Sequence, residues 1–131
     1  MKKLIYSLLI TLAVIPFAGK SQNSKTPWPE LSAFHTLISA TFHPSEDGNF
    51  KPLRQKADSL LMVAKRWKES AIPADYKADL TKKTLKKLVK ECEEIADEVK
   101  ANKPDAKLKE SITEAHEIFH TIVEKCRTPE K

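Results

Sequence analysis

The chain has 131 residues, with 23 Lys and Arg against 18 Asp and Glu, and only two glycines. β-Branched runs and glycine turns are scarce, which argues against an all-β fold, while Lys, Glu, Ala and Leu dominate, as helices prefer. The formal charge of +5 suggests an acidic partner such as nucleic acid only if it belongs to the folded domain.

It does not. Met1-Lys2-Lys3 is a short basic start, residues 4–17 are almost purely apolar, and Ala18, Gly19 and Ser21 follow. That order predicts a secretory signal peptide over residues 1–21. The apolar run is short for a membrane span, which needs roughly 20 residues. Cleavage fits after Gly19 or after Ser21, and the lack of a nearby cysteine argues against lipoprotein processing. Removing residues 1–21 takes away Lys2, Lys3 and Lys20 and leaves 20 basic residues against 18 acidic. The mature chain is therefore near neutral. The sequence predicts a periplasmic or secreted protein with no nucleic-acid partner and no membrane anchor after cleavage. Residues 22–28 read as a flexible lead-in, and residues 29–127 as one domain.

Prolines at 29, 44, 52, 73, 104 and 129 divide that domain into four segments of helical periodicity. The first helix is expected over residues 29–42, with Leu31, Phe34, Ile38 and Phe42 as its stripe. Pro44 should end it, because the residue before a proline avoids the helical region. A loop from His43 to Asn49 follows. The second is expected over residues 52–69, on Leu53, Ala57, Leu60, Ala64 and Trp67, with Pro52 suited to a first turn. The third is expected over residues 79–101, on Leu85, Leu88, Cys92, Ile95 and Val99. Its outer side carries Lys82, Lys83, Lys86, Lys87 and Lys90, then Glu91 and Glu94, and the pairs Lys87–Glu91 and Lys90–Glu94 have helical ion-pair spacing. These lysines read as a solvated face more readily than as a polyanion site. The fourth is expected over residues 104–126, on Leu108, Ile112, Ala115, Phe119, Ile122 and Cys126, with Asn102 as its cap. Four amphipathic helices with short connections predict an all-α, antiparallel up-down-up-down four-helix bundle.

No nucleophile elbow, phosphate loop or Cys-x-x-Cys-His motif occurs, so an enzyme is not expected. The four histidines are the distinctive residues: His35 and His43 near one end of the mature chain, His116 and His120 near the other. An up-down-up-down bundle makes the first and last helices neighbours. The four-residue spacing of His116 and His120 puts two imidazoles on one helix face, within reach of one metal ion. At 100° per residue they lie about 75° and about 115° from the stripe centre, facing a neighbouring helix. Partly exposed structural histidines show the same spacing.

The third and fourth helices turn near Lys103, so facing residues have numbers summing to about 207. That puts Cys92 beside Ala115 and His116, and His43 lies at roughly the height of His116. The expected metal site is therefore His43, His116, His120 and Glu46, with Asp47 nearby and Cys92 as a soft ligand, for Zn²⁺ or Cu²⁺, with Ni²⁺ open. Cys92 equally suits a core position as a small apolar residue. A Cys92–Cys126 disulfide is disfavoured, because about eleven residues at ~1.5 Å each separate their levels by about 16 Å. An intermolecular disulfide through Cys126, at an exposed C-terminal end, stays open. The ions are the expected partners, with another periplasmic protein as a further one.

Phe34-His35 and Phe119-His120 repeat a Phe-His pair in the two helices expected to touch. With the leader and the four heptad helices, this resembles the small periplasmic b-type cytochromes of four-helix-bundle fold. The resemblance implies haem b held by His35 and His120. The early methionine of those cytochromes has no counterpart here, since Met62 lies in the second helix. The segment from Phe34 to Asn49 with His116, Phe119, His120 and Cys126 also resembles small exported helical proteins of Bacteroidetes-type bacteria. Periplasmic metal-sensing bundles with His-x-x-x-His are similar in the same respect, which implies a metal in place of haem.

Overall fold

A computed structural model describes residues 26–129. The signal peptide expected over residues 1–21, with both candidate cleavage positions, lies outside them. The described chain is all-helical: α1 (Pro29–Glu46), α2 (Lys51–Glu69), α3 (Ala78–Lys100) and α4 (Asp105–Lys125). α1 packs on α2 and α4, and α3 packs on α2 and α4, so the four close into a bundle. Among the described residues no helix is long and apolar enough to cross a membrane.

The heptad residues are the core. Phe34 and Ile38 of α1, Leu53, Leu60 and Trp67 of α2, Leu85, Leu88 and Ile95 of α3, and Leu108, Ile112 and Ile122 of α4 are all fully buried. Each buried aliphatic side chain of this size contributes roughly 1.5–3 kcal/mol on leaving water. Trp28, placed by the sequence in the lead-in, belongs to this core at 5 % exposure, and its indole N–H donates to Ser70 Oγ at 2.8 Å.

Two boundaries differ from the sequence expectation, for one reason. α1 does not stop before Pro44 but runs one turn further, to Glu46. Proline removes its own N–H from the ladder and crowds the carbonyl four residues back, a penalty this helix accepts in its last turn. The helix stops where a left-handed residue can close it. Gly48, at φ +81°, supplies that conformation. Gly48 N–H donates to Ser45 O and Asn49 N–H to Pro44 O, at 3.1 and 2.9 Å. This paired closure satisfies two end carbonyls. α3 ends the same way: Asn102 is left-handed at φ 52°, with Asn102 N–H to Val99 O and Lys103 N–H to Glu98 O. Asn102 therefore closes α3 and does not cap α4, whose N-cap position is Pro104.

The connection between α2 and α3 folds against the C-terminal end of the chain. Lys77 N–H donates to Cys126 O at 2.7 Å and Thr128 N–H to Asp75 O at 2.8 Å, with an isolated bridge pairing Tyr76 and Arg127. Trp28, Trp67 and Tyr76 stack edge to face beneath it. Cys126 is consequently fully buried, its thiol 3.7 Å from Thr84 Oγ1. The intermolecular disulfide left open through Cys126, near the C-terminal end, is disfavoured by this closure, and both cysteines are free thiols.

Candidate metal centre

The extra turn of α1 builds half of the site. With Pro44 inside the helix, His43 and Glu46 stand three residues apart on one face, and His43 Nδ1 lies 3.2 Å from Glu46 Oε2. α4 supplies the other half. His116 Nε2 and His120 Nε2 point at each other across 3.2 Å. Two nitrogens bound to one zinc at about 2.0–2.1 Å with a tetrahedral angle stand about 3.3 Å apart. The pair is therefore already at the bite distance of a shared ion.

Two contacts orient these rings. His120 Nδ1 lies 3.3 Å from Glu124 Oε1, one turn further along α4. A proton on Nδ1 donated to that carboxylate fixes the tautomer in which His120 Nε2 is the acceptor facing His116, as an outer-sphere carboxylate orients a metal-bound histidine. The His116 ring is stacked on Phe42, with centroids 3.8 Å apart and planes within 10°. Burial lowers the pKa of His116 from 6.5, and the neighbouring His120 and His43 push it the same way. At neutral pH this imidazole is uncharged, the form that binds metal.

The residues expected from sequence divide into two groups. His43, Glu46, His116 and His120 are gathered at the α1–α4 seam, and the His43 and His116 ring centres are 6.3 Å apart. Asp47 takes the C-cap position of α1. Cys92 is not part of the gathering. It is fully buried in the core, and burial, with Glu91 and Glu93 adding to it, pushes its thiol up to about 12. A thiol is a ligand only as thiolate, so Cys92 is read as a core residue. Among the described residues no three His, Cys, Asp or Glu side chains stand ready together around one point. His116 and His120 form a close pair, and no third such side chain joins it.

Glu124 and the Phe42 stack were not foreseen. The signal for Glu124 was present in the sequence: it follows His120 by four residues, the spacing that puts it one turn away on the same face.

His35 is exposed and lies parallel to the Phe119 ring, with centroids 5.4 Å apart. Phe119 also touches His120, at 5.7 Å, and is itself buried against Phe34. Phe119 thus touches both of the rings that the cytochrome resemblance nominates as haem ligands.

No protein-family model matches the chain, and no curated protein or solved structure matches it.

Proposed function

We propose that the protein is an exported metal-binding bundle that takes Zn²⁺ or Cu²⁺ at the α1–α4 seam. Its leader is cleaved, its helices run antiparallel in up-down-up-down order, and it works in the periplasm or outside the cell. The observation that carries this reading is the 3.2 Å separation of His116 Nε2 and His120 Nε2, with Glu124 behind His120. His43 or Glu46 completes the ligand set by rotating toward His116. Both side chains are more than half exposed, so rotation costs them little packing. Structural zinc sites are closed by four protein ligands. An open, surface-lying site of two imidazoles and a mobile third donor suits an ion that is taken up and handed on. Buffering or delivery to another periplasmic protein fits better than a structural or catalytic role.

The test is a zinc and copper titration of the full chain by calorimetry. About one ion per chain is expected, with binding lost in the His116→Ala, His120→Ala double variant. Unchanged affinity in that variant, with its helicity intact, refutes the assignment.

A further inference from the structure

Exposed lysines of α3 border one concavity. Lys83, Lys86, Lys87 and Lys90 of α3, with Lys68 from the last turn of α2, surround one groove of about 610 Å³. Val89, only 7 % exposed, forms part of its apolar lining. Glu93 is the single acidic residue at the rim. Among the described residues none of these five lysines is in an ion pair. Lys87–Glu91 and Lys90–Glu94, which have the spacing to pair, do not.

The reason lies in how charge is distributed along α3. Residues 82–90 carry five lysines and no acid, while residues 91–98 carry Glu91, Glu93, Glu94, Asp97 and Glu98. Glu91 and Glu94 line a separate depression on the α4 side with Glu110, Glu114 and Lys107, so they face that cluster and not the lysines of the groove. Lys83–Lys87 and Lys86–Lys90 are like charges four residues apart, each pair costing the helix roughly 0.2–0.5 kcal/mol. A helix face selected only for solubility intersperses the two signs. This one concentrates positive potential in a concavity, where it is strongest.

The structure assigns this groove as a binding site for a multivalent phosphate anion, either free or carried as the headgroup of a lipid. Lysine binds phosphate as a flexible point charge, and four or five of them around one groove match an anion of several negative charges rather than a carboxylate. The groove lies on α2 and α3, and the histidine seam is formed by α1 and α4, so its occupancy does not depend on metal binding.

The experiment uses the full chain with two probes, inorganic tripolyphosphate in calorimetry and sedimenting cardiolipin vesicles, whose headgroup carries two phosphates. Lys83→Glu with Lys87→Glu is expected to weaken binding of the responding probe by at least about tenfold, equivalent to about 1.4 kcal/mol. Lys56→Glu with Lys109→Glu changes net charge equally at exposed positions away from the groove, and it should leave affinity within about twofold once salt screens the distant charges. Binding of tripolyphosphate identifies a free anion, and binding of vesicles alone identifies a headgroup; both support the site. If the charge reversal disturbs helicity, Lys83→Gln with Lys87→Gln takes its place, with the same direction expected. Binding of neither probe, or equal loss in the control pair, overturns the proposal.

Discussion

Replacing His120 by alanine isolates the metal site from the fold. The side chain is about half exposed, at 47 %, and its contacts are His116, Glu124 and the edge of Phe119. Its loss should cost the apo protein no more than about 0.5 kcal/mol, as for most surface substitutions. For the intact site, Zn²⁺ at about one hundred times its Kd stabilises the native state by about 2.7 kcal/mol. One kcal/mol shifts the melting temperature of a domain of about 100 residues by roughly 4 °C at the low end of the range, so the zinc-dependent rise is about 10 °C. Removing one of two preset nitrogens at 3.2 Å leaves a single fixed imidazole. If affinity falls about a hundredfold, the same zinc concentration gives only about 0.4 kcal/mol, or about 2 °C. Differential scanning calorimetry with and without zinc reads both values. Copper adds a second readout, because the two tryptophans of the chain are both buried and Trp67 lies 6.0 Å from Phe119, the neighbour of His120. Cu²⁺ bound at His116 and His120 should quench their fluorescence in the wild type and not in the variant. His35→Ala should keep the full response. A zinc shift near 10 °C surviving in His120→Ala would falsify the reasoning.

Glu124→Gln keeps the shape of the supporting carboxylate and removes its charge, and zinc affinity measured by competition with a chromophoric chelator should fall by about 10–100-fold. The lowered pKa of His116 has a signed consequence. The unfolded chain takes up its proton near pH 6.5 while the folded one resists, so stability is lost as pH falls below 6.5 and levels off below the folded pKa. His116→Asn should flatten that part of a urea-denaturation pH series. Glu91 carries the opposite sign, its pKa raised from 4.5 to about 6 by burial and by Glu94, Glu114 and Glu98. Its charge costs stability as pH rises through that interval, so Glu91→Gln should stabilise the fold at pH 7.5 by about 0.5–1 kcal/mol after solvent screening, and not at pH 4. Gly48→Ala meets no atoms but forces a side chain into the left-handed region, so chemical denaturation should show a loss of about 1 kcal/mol.

The heptad spacing carried the fold well because burial follows it directly. Every stripe residue named for α2 is buried, and the α3 and α4 stripes fail only at Val99, which is partly buried. The ends were less legible. A helix terminus depends on which residue adopts positive φ, and Pro44 and Asn102 both offered a plausible reading that the hydrogen bonds closing each helix end at Gly48 and at Asn102 itself overrode. The burial of Trp28 does not show in a local pattern; it depends on Ser70, at the end of α2, meeting its indole. Cys126 lies on the α4 stripe, and what the sequence does not show is the connection between α2 and α3 that closes over it through Lys77.

The extra turn of α1 also bears on the proposed histidine site. Read as a loop, His43 and Glu46 are two donors whose positions no element fixes. On an α1 that continues through Pro44, they become an i, i+3 pair held 3.2 Å apart on a rigid helix. That pairing has a cost for metal binding. While Glu46 accepts from His43 Nδ1, its carboxylate is engaged, although His43 keeps Nε2 free for an ion on the other side of its ring. The ligand set most consistent with the geometry is then His116 and His120 through Nε2, with His43 swinging in through Nε2 while Glu46 stays on its Nδ1. Glu46 and Glu124 would then play equivalent parts behind His43 and His120. On that reading Glu46→Gln should weaken zinc by the same order as Glu124→Gln. Loss of a directly bound carboxylate would instead cost about as much as His120→Ala, and comparing the three affinities decides between the two ligand sets.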